Sequence, residues 1–198
     1  MTVHRGKDIN IYHYIVNEGG WTMISYPTLN EYLDSIILPK SIEEVLEYKY
    51  ELEGRELQFI LSANDSLKKY ADYESYRSEN AHCMGTCLMN FTRVGMYFLL
   101  EKEIVTISTS NFNEDVEKLD WKVTHYPFKK IIELDLEFAE NGEKTHYETG
   151  VLYVKVIDDK DVVRTHVLHN MNPRHLHCFR DFHSNIVNNV DVPNTCKK

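Results

Sequence analysis

Ile131-Ile-Glu-Leu-Asp-Leu-Glu-Phe138 is the stretch from which the fold can be argued. From Ile132 on, Ile132, Leu134, Leu136 and Phe138 fall on one side and Glu133, Asp135 and Glu137 on the other. Strict alternation of apolar and charged residues predicts a strand with one buried and one wet face, because successive side chains point to opposite faces. Asn141-Gly142 follows, a hairpin signal because both residues accept positive φ. A second strand is predicted over Val151–Ile157. A third is predicted over Val162–Leu168, after the polar turn Asp158-Asp159-Lys160-Asp161. Asn172-Pro173 then opens a helix, since Asn caps well and Pro suits the first turn. Leu176, Phe179, His183, Ile186 and Val190 keep helical spacing along it, with Phe182 and Val187 beside them.

N-terminal to that block, β-branched and aromatic enrichment predicts strands over Met84–Phe91, Val94–Leu100, Ile104–Ser108 and Trp121–Tyr126, the last broken at Pro127. Ser110–Asp120 reads as a polar loop. Thr28/Glu31 and Ser41/Glu44 are two capping-box patterns, each followed by an apolar stripe. With Pro39 stopping the first helix and Gly54 the second, residues 28–53 read as a helical pair. Glu56–Leu61 reads as a strand, Asn64-Asp65 as the cap of a third helix, and Tyr73–Asn80 as loop. A short strand is expected over Ile9–Val16, broken by Gly19-Gly20. The expected division is a helical extension over 1–53 and a sheet domain with its terminal helix over 54–198, sharing one core.

Composition bounds the function. The 198 residues carry 22 basic and 31 acidic side chains, a formal charge of −9, with 42% hydrophobic and 12% aromatic content. That is a folded globular composition, and its charge opposes binding to nucleic acid or to an anionic membrane without a local basic patch. The sequence has no such run of Lys and Arg. The N-terminus lacks the apolar core of a signal peptide and no apolar run is long enough for a bilayer, so a cytoplasmic protein is expected. On that basis Cys83, Cys87, Cys178 and Cys196 are expected as thiols.

The order of elements over residues 56–190 resembles the bacterial pleckstrin-homology-like domain family. The resemblance rests on the antiparallel run Phe98-Leu-Leu-Glu-Lys-Glu-Ile-Val-Thr-Ile107, on Tyr126-Pro-Phe-Lys-Lys-Ile-Ile132 entering a long strand, and on two further strands and a closing helix. It implies an α+β protein: an antiparallel, partly open barrel capped by its C-terminal helix, here with an N-terminal helical pair. Phosphoinositide-binding members of the wider superfamily carry basic residues on the first hairpin. Here Lys102 stands between Glu101 and Glu103, so lipid-phosphate binding does not carry over.

Candidate chemistry is sparse. Among metal ligands, His175, His177 and Cys178 lie together, and Cys83 and Cys87 offer a second pair for a zinc ion. Against this, His177 and Cys178 are adjacent and diverge on a helix, and Cys83 and Cys87 are two pleats apart on a strand, about 13 Å by strand rise. The competing account packs Cys178 and His183 half-buried on the helix and leaves the other histidines in solvent. No nucleophile elbow or phosphate loop is present. Tyr12, Tyr14, Trp21 and Tyr26 form a local aromatic group suited to an interface or to packing. The expectation is a non-enzymatic protein- or small-ligand-binding module without a cofactor. A metal-binding protein using the His/Cys end is the alternative, and an exposed sheet edge gives a route to a homo-oligomer.

Overall fold

A computed structural model describes residues 13–17, 20–24, 28–47, 52–70, 73–110, 119–139, 149–158 and 160–188, the first two segments by backbone alone. In chain order the elements are β1 (His13–Asn17), β2 (Gly20–Ile24), α1 (Leu29–Ser35), β3 (Lys40–Ser41), α2 (Ile42–Glu47), α3 (Gly54–Lys68) and α4 (Tyr73–Tyr76). They continue with β4 (Asn80–Ala81), β5 (Cys83–Met89), β6 (Arg93–Leu99), β7 (Glu103–Thr109), β8 (Lys122–Pro127), a 3-10 turn (Phe128–Lys130), β9 (Ile131–Ala139), β10 (Thr149–Ile157), β11 (Val163–Met171) and α5 (Pro173–Val187).

The protein is α+β. A seven-stranded antiparallel sheet runs in the order β8-β7-β6-β5-β11-β10-β9, so two meanders, β5 to β8 and β9 to β11, meet at the β5–β11 seam. The seam is short, with Leu168 opposite Met89 and His169 opposite Leu88. The 3-10 turn at Phe128–Lys130 leads the chain from β8, at one end of the sheet, straight to β9, at the other. The sheet therefore curls on itself as a partly open barrel. Tyr126 of β8 meets the ring of His166 of β11 across the interior, centroids 5.2 Å apart.

Two buried clusters lie on the two sides of the β5–β8 meander. Met84, Met96, Phe98, Leu100, Val105 and Ile107 pack outward against Leu29, Tyr32, Leu33, Ile42, Leu46, Phe59, Ile60 and Leu67 of the helices. Cys83, Cys87, Tyr97, Leu99, Ile104 and Tyr126 pack inward with Leu152, Val154 and Leu168 and with Leu176, Phe179 and Phe182 of α5. Alternate residues of each strand thus enter different cores, and a strand buried on both faces reads as a continuous apolar run. The first cluster draws on residues from both sides of position 53.

Both capping boxes form. Thr28 N donates to Glu31 Oε2 at 2.7 Å and Ser41 N to Glu44 Oε2 at 2.9 Å, and each Glu amide donates back to its hydroxyl. At α5, Arg174 N donates to the Asn172 side chain at 3.0 Å, with Pro173 in the first turn. Thr86 of β5 donates to Asn30 of α1, and the Asn172 amide donates to Asp34 at 3.1 Å, so α1 grips both the sheet and the cap of α5.

Several expectations are corrected. Glu56–Leu61 is not a strand: it lies inside α3, which also absorbs the helix expected from Asn64. Phe59, Ile60, Ala63, Asn64 and Leu67 are its buried residues, a helical stripe that overrides the local strand propensity of Leu57–Leu61. Gly54 opens α3 at φ +56° and does not stop α2, which ends at Glu47. Tyr73–Tyr76 is a single helical turn. β5 ends at Met89, because Asn90 and Phe91 take positive φ and turn the chain. Gly20 does not merely break a strand: it begins β2, which pairs antiparallel with β1. Residues 9–12 of the expected first strand, the Asn141-Gly142 turn and Val190 lie outside the described residues, as do Tyr12 and Tyr26.

Candidate functional site

β9 is the last strand of the sheet order. Among the described residues it pairs only with β10. Its inward row, Leu134 and Leu136, is only partly buried although it packs on the inner core, and among the described residues no strand lies beyond it. Phe138 is 47% exposed, its ring 5.5 Å from that of His177 on α5. His183 Nε2 donates to the Ile131 carbonyl at 3.3 Å, which ties α5 to the entry of β9. Leu134 and Leu136 thus lie partly open against the inner core, and Phe138 stands beside His177 of α5.

The start of β9 differs from the expected alternation. Lys155 lies opposite Glu133 and Val156 opposite Ile131, so Ile132 is the additional residue of a β-bulge. The bulge turns Ile131 into the core and leaves Ile132 52% exposed. Leu134 and Leu136 face inward as expected, and Glu133, Asp135 and Glu137 are exposed. On that acidic face Lys155 Nζ donates to Glu133 at 3.0 Å, and Tyr153 Oη donates to Glu137 at 2.7 Å. The Lys155 contact lowers the Glu133 pKa, and the carboxylate acceptor raises that of Tyr153.

The metal candidates lie on the N-terminal half of α5 and on β5. Cys83 and Cys87 sit on β5 inside the inner core, and burial pushes both thiols up, Cys87 to about 12. Cys178 joins the same cluster from α5 and is disulfide-bonded, which corrects the thiol expectation at that residue. His175 Nδ1 accepts from Tyr97 Oη at 2.7 Å. Burial lowers the His175 pKa and holds the ring neutral, and the buried Tyr97 phenol is pushed well up and keeps its proton. His177 lies on a different face, beside Phe138, and accepts from Arg180 at 3.2 Å. Among the described residues no three His, Cys, Asp or Glu side chains converge as a metal site.

The histidines are therefore not simply solvent-facing. His175 is locked to Tyr97, His166 meets Tyr126 inside the sheet, and His169 lies under Phe91 with ring centroids 3.7 Å apart. Sequence reasoning missed the Tyr97–His175 pair. Gly85, directly opposite Tyr97, is its one signal: a Cβ there would lie 2.5 Å from the phenol oxygen. No family model matches the chain, and neither does any curated protein or solved structure. Among the described residues no helix is long and apolar enough to cross a membrane.

Proposed function

We propose that the chain is a non-enzymatic protein-binding module on a pleckstrin-homology-like scaffold, receiving an extended segment along β9 beside α5. The observation that carries this is the half-covered edge: a nine-residue strand at the end of the sheet, with Leu134 and Leu136 partly buried and Phe138 exposed next to α5. An added strand would satisfy the outer backbone groups of β9 and bury the exposed parts of these side chains. The scaffold part of the reading is supported by the strand order, two meanders meeting at β5–β11, and by α5 packing on the inner core.

The test is to pan a random-peptide display library against the full chain and map the selected peptides by backbone amide shifts. Shifts confined to Ile131–Ala139 and α5 support the proposal. Failure to select any binder, or shifts on the β5–β8 meander instead, contradicts it.

A further inference from the structure

We infer that the segment taken up by β9 alternates cationic with apolar residues. This inference rests on the reading of β9 as a docking edge and names the chemistry of its occupant. The outward row of β9 is Glu133, Asp135 and Glu137, all exposed, and its inward row is Leu134 and Leu136, followed by Phe138. A strand laid alongside would place its own alternate residues against each row, because neighbouring strands keep the same two faces. Opposite charges on directly facing positions stabilise such a pair, and like charges oppose it.

β10 shows how this row is satisfied from its other side. Lys155 meets Glu133, the Tyr153 hydroxyl meets Glu137, and Asp135 lies opposite Tyr153 rather than opposite a cation. Asp135 is thus the position at which a cation from an added strand changes most. The same charge pattern argues against a second copy of β9 as the occupant. Antiparallel self-pairing would bring two such acidic rows together, on chains that each carry a formal charge of −9. The bulge at Ile132 limits the receptive length to the straight part of the strand from Glu133 onward.

The experiment uses the full chain and four end-capped octapeptides: alternating lysine–valine, threonine–valine and glutamate–valine, and a block isomer of the lysine–valine peptide. Affinity is read by fluorescence anisotropy and the site by hydrogen exchange over residues 131–139. The alternating lysine–valine peptide is expected to bind about tenfold tighter than threonine–valine, three favourable cross-strand pairs being worth roughly that factor. It is also expected to protect the β9 amides and to weaken as salt is raised. Asp135→Asn should lower that preference, and Asp135→Lys should lower it further by setting a like charge against the peptide, with the melting temperature of each variant checked against the parent.

Equal protection of β9 by lysine–valine and threonine–valine overturns the charge inference and leaves the docking edge standing. Equal binding by the block isomer overturns the alternation. Protection of β9 by none of the peptides counts against the docking edge itself.

Discussion

Phe91 sits at φ +61° and Asn90 before it at φ +47°, with Thr92 N donating to Met89 O at 3.1 Å. These are the φ signs of a type I′ turn, which favours Asn at its first central position and Gly at its second. Asn90 also exchanges hydrogen bonds with Val167, fastening the turn to β11. Phe91 is the residue out of place. It bears the left-handed penalty of about 1–2 kcal/mol and is 70% exposed, with the His169 ring beneath it. Phe91→Gly is therefore expected to stabilise the fold, by up to about 1 kcal/mol after the lost ring contact and the added chain entropy of glycine are subtracted. Urea denaturation measures it, and a clear loss of stability would show that the Phe91–His169 contact outweighs the backbone strain. The turn is illegible in the sequence for the same reason: Met89-Asn-Phe-Thr92 lacks the glycine that marks such turns, so nothing local ends the strand before Phe91.

At the scale of elements, β6, β7 and the entry to β8 are joined by one polar network. Arg93 donates to Ser108 Oγ at 3.2 Å and to Asp120 Oδ2 at 2.8 Å. Asp120 Oδ1 accepts from Thr109 Oγ1 and from Ser110 N. The Ser110 amide first, then the Arg93 guanidinium and the Ser110 hydroxyl, hold the Asp120 carboxyl well below the usual carboxylate range. A carboxyl with a depressed folded-state pKa contributes stability that is complete above its unfolded pKa, near 3.9, and is lost as pH falls below that value. With a side chain 46% exposed, Asp120→Asn should cost only about 1 kcal/mol at neutral pH. The gap between variant and parent should narrow below about pH 4. Thermal melts at pH 7 and pH 3 test this, and a difference that does not change with pH would assign the cost to packing.

Element by element, legibility followed how local the physics is. α1, α2 and α5 were readable because caps and stripes are written into neighbouring residues: Thr28 with Glu31, Ser41 with Glu44, Asn172 with Pro173. The first half of α3 is not legible as a helix because Leu57-Gln-Phe-Ile-Leu61 is strand-like over a short window, and only the longer stripe to Leu67 decides for a helix. The Tyr97–His175 bond joins residues 78 apart in sequence, and its one trace, Gly85, sits on a neighbouring strand where its meaning depends on the register.

For the whole molecule, the deciding property is which surfaces are covered. Strands β5 to β7 are mostly buried on both faces, by the helices outside and by α5 and the second meander inside. β9 ends the sheet and keeps an acidic outer row and a partly open inner row. The alternation of Leu134 to Glu137 was legible, but its place at the edge was not. Strand order depends on the distant seam between β5 and β11. The bulge that exposes Ile132 depends on a register set by Lys155 and Val156.

The central claim is that the outer edge of β9 is open, and amide hydrogen exchange on the unliganded full chain tests it most directly. Alternate amides between Glu133 and Phe138, those directed away from β10, should exchange orders of magnitude faster than amides in the middle of β6, which is hydrogen-bonded on both sides. Protection along β9 equal to that of β6, at every concentration of the protein, would mean the edge is already paired and would contradict the account.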